Sequence, residues 1–123
     1  MDPVIIWADI PVTDMRRAME FYAHVTGEQV VRFPGMDDVA VIRVPAEGEG
    51  PNMYSADLYL GGTPSRDGVT VYLNPRGDID GMLARVVEAG GEIVREKAFM
   101  GPGVGWIAAF IDSEGNRIGL QQP

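Results

Sequence analysis

The chain has no cysteine and one histidine, His24, among 123 residues. Without thiols there can be no disulfides, thiolate metal sites or cysteine nucleophiles. The lone imidazole supports no Ser/His/Asp arrangement. His24 falls near the end of a predicted helix, with no elbow serine beside it, and reads as a solvated side chain near the helix carbonyls. Long apolar runs are also missing: no stretch approaches the roughly 18 residues of a membrane span. Met1-Asp2-Pro3 lacks the basic start and apolar block of a secretion signal. Positive charge is scarce, 10 Lys and Arg against 18 Asp and Glu, for a formal charge of −8. That balance disfavours a nucleic-acid partner and favours neutral or cationic ligands. The expectation is a soluble cytoplasmic protein that engages neither membrane nor nucleic acid.

What is present is a repeat. The segment Thr13-Asp14-Met15 to Thr26-Gly27 reappears as Gly77-Asp78-Ile79 to Gly90-Gly91, placing Asp14 on Asp78, Met19 on Leu83, Tyr22 on Val86 and Gly27 on Gly91. An alternating apolar stretch leads into each copy and a β-rich stretch follows. Two half-size modules result, and a cup between their sheets is where a function is expected. With 46% hydrophobic residues the chain can bury one core, so 1–123 reads as a single domain. Module one is 1–62 and module two 68–123, joined by the turn-rich 61–68, GGTPSRDG.

Periodicity fills in the elements. Pro3 to Val12 alternates as a strand, and Met15, Ala18, Met19, Tyr22 and Val25 form a helical stripe after a Thr13 or Asp14 cap. Strands are expected at 28–33, 38–44 and 55–60, with Pro34-Gly35 as a turn and Pro45 to Pro51 as a mobile loop. The second half repeats this order. A strand from Val69 to Asn74 leads to a helix with stripe Ile79, Leu83, Val86 and Val87, and strands follow at 92–98, 105–111 and 117–121. The fold class is α+β, in the order βαβββ-βαβββ with the helices on one side of the sheets. Gly101-x-Gly103-x-Gly105 leads into a strand, not a helix, so it is no dinucleotide loop. It is either a tight strand connection or a lip over the cup with Phe99, Met100 and Trp106 as apolar walls.

Ile10-Pro11-Val12-Thr13-Asp14-Met15-Arg16-Arg17-Ala18-Met19-Glu20-Phe21-Tyr22, followed by Thr26-Gly27, resembles the first-helix signature of the vicinal oxygen chelate superfamily. This superfamily comprises glyoxalases, bleomycin-resistance proteins and extradiol dioxygenases. Asp78 to Gly91, Gly101 to Ala108 and Phe110 to Leu120 extend the resemblance over nearly the whole chain. It implies paired βαβββ modules curled into a cupped β-barrel with the helices outside, and a homodimer. It does not select a function, because the scaffold hosts many. Metal-using members carry a ligand on the first strand of each module and a carboxylate on the last. Here those positions hold Trp7, then Thr70 or Val71, and Gly119, and only Asp57 keeps a possible ligand. The expectation is no metal and no cofactor, with the alternative that Asp9 and Asp57 hold a hard, oxygen-seeking ion.

Strand alternation turns Trp7 and Asp9 into the cup if Ile6, Ala8 and Ile10 pack on the helix. Trp7 would stack on a planar or cationic ligand, or simply fill space. Asp9 is the candidate catalytic residue, as a general base, or the counter-ion of a cationic ligand; its structural alternative is a salt bridge to Arg117 or Arg43. Asp57, Tyr59, Thr70, Tyr72 and Asn74 join the cup by the same alternation, and Trp106 as a wall. A one-residue slip in register would reverse these assignments. Arg16, Arg17 and Glu20 read as a solvated helix face. Two functions follow: a metal-free binder of a small planar or cationic molecule, or an enzyme of the same fold (lactoylglutathione-lyase-like, isomerase or dioxygenase) using Asp9 or an unconventional metal set.

Overall fold

The computed structural model describes residues 4–42 and 55–123. The expected mobile loop at 45–51 lies outside them. The first half runs β1 (Trp7–Val12), α1 (Met15–Thr26), β2 (Val30–Arg32), β3 (Val39–Ile42) and β4 (Ser55–Leu60). The second runs β5 (Val71–Leu73), α2 (Ile79–Glu88), β6 (Glu92–Phe99), β7 (Trp106–Ile111) and β8 (Arg117–Gln122). No described helix is long and apolar enough to cross a membrane.

Both helices begin at the expected caps, and α1 also ends on the expected Gly27. Asp14 accepts the Arg17 amide at 3.0 Å and Asp78 accepts the Gly81 amide at 3.1 Å, each satisfying an amide that the first helical turn leaves unpaired. Gly27 closes α1 in the left-handed region at φ 70°. In α2 that conformation falls on Gly90, at φ 90°, rather than on Gly91. Gly91 is small for another reason: a Cβ there would stand 2.7 Å from Val86 Cγ1 and 2.9 Å from the Ile111 carbonyl oxygen. The buried stripe of α2 is Ile79, Met82, Leu83 and Val86. Val87, expected on it, is exposed, since it lies about 100° around the helix from Val86.

The strands form two four-stranded mixed sheets in the orders β1-β4-β3-β2 and β5-β8-β7-β6, with the first strand of each module parallel to its last. The paired βαβββ modules that the resemblance implies are present, and their two sheets are not closed into a barrel. β1 and β5 are edge strands, and no ladder joins one sheet to the other among the described residues. Closure needs two matched extended edges, and β5 has only three residues, with the chain turning immediately after it. There Asn74 Oδ1 accepts the Arg76 amide at 2.8 Å, and Arg76 adopts φ 52°. Thr70, expected inside the strand, stands just before it.

One core serves both halves. Ile10, Val12, Phe21, Tyr22, Val25 and Leu58 share a cluster with Ile79, Met82, Leu83, Val86, Phe110 and Leu120. Phe21 meets Phe110 at a centroid distance of 6.1 Å. Polar contacts fasten the same seam. Glu114 Oε1 accepts the Thr13 and Asp14 amides at 2.9 and 2.8 Å, and Oε2 accepts Arg17 Nε at 2.7 Å. Arg17 therefore grips the other module and is not part of a free helix face; only the Arg16–Glu20 pair, at 3.3 Å, is solvated as expected. Burial alone would push the Glu114 carboxyl up, but the guanidinium and the amides outweigh it and hold it at about 2. Nearby, the buried Tyr22 hydroxyl donates to Asp112 Oδ2 at 2.5 Å, and Asn116 Nδ2 donates to the Pro11 carbonyl at 2.7 Å.

Candidate functional site

The core side of β1 is set by Ile10 and Val12, both buried, so Trp7 and Asp9 project from the opposite face of the sheet. On β4 the same logic puts Ala56 and Leu58 in the core, with Asp57 and Tyr59 on that opposite face. Parallel pairing aligns Asp9 with Asp57 and Trp7 with Ser55. These residues meet: Trp7 Nε1 donates to Asp57 Oδ1 at 3.1 Å, and Asp9 is the cross-strand neighbour of Asp57. Asp57 lies on a strand flanked on both sides and is only 7% exposed. Burial, with the neighbouring Asp9 carboxyl, raises its pKa to about 6 against the opposing effect of the indole N–H.

Beside this pair lies a cavity of about 250 Å³ lined by Trp7, Phe33, Met36, Val39, Val41 and Asp57. Asp57 is the single ionisable residue among the described residues that line it. Val39 and Val41 come from β3, which pairs with β4. Phe33 and Met36 stand in the β2–β3 connection, where the Met36 amide donates to the Phe33 carbonyl at 3.1 Å. Sequence reasoning missed both. Their signal was two apolar residues bracketing Pro34-Gly35 with no helical stripe to join.

The remaining candidates are placed elsewhere. Tyr59 leans toward the linker, where a Cβ on Gly62 would stand 2.3 Å from its hydroxyl. On the second sheet, Thr70 Oγ1 accepts Arg117 Nη1 at 2.8 Å, so Arg117 pairs with Thr70 rather than with Asp9. Arg43, the other partner considered for Asp9, lies outside the described residues. Tyr72 lays its ring over Gly119, where a Cβ would stand 2.4 Å from Cε1. Asn74 is spent on the Arg76 turn, although it and Tyr72 border a cleft of about 320 Å³ that also touches Ile5, Ile6 and Ser55.

Trp106 does not share the open face. Lys97 Nζ sits 4.8 Å from its ring centroid and 3.0 Å from Asp80 Oδ1 on α2, which puts Trp106 on the helix side of its sheet. Strand alternation gives the reason, since Ala108 and Phe110 on the same strand are core residues. The glycine run before it is a strand connection. The Gly105 amide donates to the Gly101 carbonyl at 3.0 Å, and Gly101, Gly103 and Gly105 all have positive φ. His24 Nε2 lies 3.2 Å from Glu88 Oε1 on the helical surface, remote from the cavity residues in both element and face.

The family's divalent metal can be tested against these residues. Three or four ligands are required, usually including imidazole. Among the described residues no three His, Cys, Asp or Glu side chains come together. The first-strand positions hold an indole and a hydroxyl already engaged by Arg117, and the Tyr72 ring occupies the space over Gly119. The donor set does not fit a metal held by this chain's described residues.

Comparison with known proteins agrees with this architecture. The chain resembles a glyoxalase/bleomycin resistance protein of Albidiferax ferrireducens T118 with a TM-score of 0.75 at 16% identity, covering 98% of this chain and 100% of that one. The hypothetical protein SA1046 of S. aureus gives 0.70 at 23% identity, covering 95% of each chain. A mutant of the fosfomycin resistance protein FosX of Listeria monocytogenes, complexed with Mn(II) and 1S,2S-dihydroxypropylphosphonic acid, gives 0.64 at 12% identity, covering 98% and 90%. No curated protein sequence matches. A family model described as the Glyoxalase/Bleomycin resistance protein/Dioxygenase superfamily matches residues 4–120. With two βαβββ halves built to that pattern, the chain belongs to this superfamily.

Proposed function

We propose that this protein is a metal-free small-molecule binder of the superfamily, holding a planar or cationic ligand on the open face of its first sheet. The observation that supports the reading is the buried Asp57 carboxyl, bonded to the Trp7 indole beside a cavity whose other described lining residues are apolar. A carboxyl in such a setting is costly to keep ionised unless something compensates it, and a bound cation would do so. An aromatic wall with one polar anchor is the usual make-up of a ligand pocket.

A homodimer in the cytoplasm completes the proposal. Its support is chemical: the first sheet's open face is acidic through Asp9 and Asp57, whereas the second sheet carries Arg117 at its Thr70 edge. A second copy could set one against the other and cover the free edges of β1 and β5.

The second reading, a catalyst of the same fold, is favoured by one observation. The Asp57 pKa of about 6 brings that carboxyl close to the working range of a general base. An unbiased mass-spectrometric search for a co-purified small molecule, with elemental analysis of protein made without a metal-chelating tag, separates the two. The binding reading expects an organic ligand and transition metal well below one per chain. One tightly held ion per chain would put the catalytic reading first.

A further inference from the structure

The walls of the first-sheet cavity differ in kind. Trp7 and Phe33 contribute aromatic side chains, Met36 a polarisable thioether, and Val39 and Val41 an aliphatic floor, with Asp57 as the single charged residue among the described residues that line it. Rings offer negative faces to a cation, and a thioether is a soft neighbour. None of these wall groups donates a hydrogen bond into the space: the one N–H donor, Trp7 Nε1, is already given to Asp57. Among the described residues an anionic or phosphorylated ligand would find no free side-chain donor here and would face a carboxylate. A neutral hydrogen-bonding ligand would find one acceptor.

From this complementarity we infer that the cavity is a subsite for a small alkylammonium ion, its charge set against Asp57 and its alkyl groups against Trp7, Phe33 and Met36. The inference rests on the ligand-binding reading above and sharpens it by naming the ligand class and adding Phe33 and Met36 as specificity residues. The volume of about 250 Å³ suits a compact head with a short tail. Among the described residues the groups facing Asp57 are few. β1 supplies Asp9 and the Trp7 N–H, and β3 supplies the uncharged Val39 and Val41. Ionisation of Asp57 near pH 6 then makes the site pH-dependent, with cation binding strong above that value and weaker below it.

The test uses the full chain carrying Trp106→Phe, so that Trp7 is the only indole and its fluorescence reports the cavity. Choline and its uncharged isostere 3,3-dimethylbutan-1-ol are titrated at pH 7.5. Choline should bind at least about tenfold more tightly, because the two differ only in charge. Lowering the pH to 5 should weaken choline about tenfold and leave the alcohol unchanged. Asp57→Asn, which keeps an acceptor for the indole, should abolish the preference. Phe33→Leu should reduce it several-fold while preserving alcohol binding, and circular dichroism confirms that both variants fold. Equal binding of the two probes, or choline binding indifferent to Asp57→Asn, overturns the inference. If the alcohol moves the indole signal and choline does not, the cation subsite falls while the small-molecule reading stands. If neither moves it, while a co-purified organic molecule is found by mass spectrometry, the site lies elsewhere and this inference fails alone.

Discussion

The two halves of the molecule share one plan and differ where it matters. In the first, the facing positions on β1 and β4 hold Asp9 and Asp57, with Trp7 bonded across to the latter. The equivalent positions on β5 and β8 hold Tyr72 and Gly119, where the ring lies flat over the glycine and Arg117 bonds back to Thr70. The first half keeps a carboxyl at its centre and leaves a hollow beside it. The second fills the same place with its own side chain. A duplicated scaffold can thus confine chemistry to one copy, while the core and the polar seam hold both in register.

The seam gives the largest expected effect and tests whether the halves are one folding unit. Glu114→Gln removes the charge gripped by Arg17 and two backbone amides, and should cost about 3 kcal/mol in denaturant unfolding at pH 7. Because the folded pKa lies near 2, below the ordinary carboxylate value, Glu114 stabilises the fold above about pH 4.5 and loses that contribution as the pH falls toward 2. The variant should lack this acid dependence. Two separate unfolding transitions in the variant would show that the halves are independent.

Tyr22→Phe comes next. It deprives Asp112 of a buried hydroxyl at 2.5 Å and should destabilise by about 1–3 kcal/mol by the same measurement. Its effect should not add to that of Glu114→Gln, since Asp112 and Glu114 share one turn and the Glu114 amide donates to Asp112 at 2.9 Å.

Asp57→Asn sharpens the contrast between the halves by reversing the sign. The Asp57 pKa is raised in the folded state to about 6, so its contribution is most favourable at low pH and declines as the pH rises from about 4 through 6. Removing the charge should stabilise the unliganded protein by about 1 kcal/mol at pH 7.5 and by nothing at pH 4. Tyr72→Phe, at the matching position of the second half, should change stability by less than about 0.5 kcal/mol at either pH.

How far the sequence foretold this molecule depends on range. Helix stripes, caps and strand faces are local periodicities, and Asp14, Asp78, Gly27 and the outward Trp7, Asp9 and Asp57 follow from them directly. Trp106, expected as a wall of the cup, lies on the helix side instead, as counting back from the core residues Phe110 and Ala108 on its own strand requires. Phe33 and Met36 were illegible because a turn, rather than a period, brings them over the sheet. Arg17 was illegible too, since its partner Glu114 is distant in sequence and only the packed halves bring them within 2.7 Å.

The two tryptophans offer the most direct test that function resides in the first half. Their indole N–H signals are separate probes in a ¹H–¹⁵N correlation spectrum, Trp7 on the open face beside Asp57 and Trp106 beside Lys97 and Phe99 on the helix side. Adding the co-purified ligand, or choline, should shift the Trp7 signal and leave that of Trp106 in place. A shift confined to Trp106 would contradict the account.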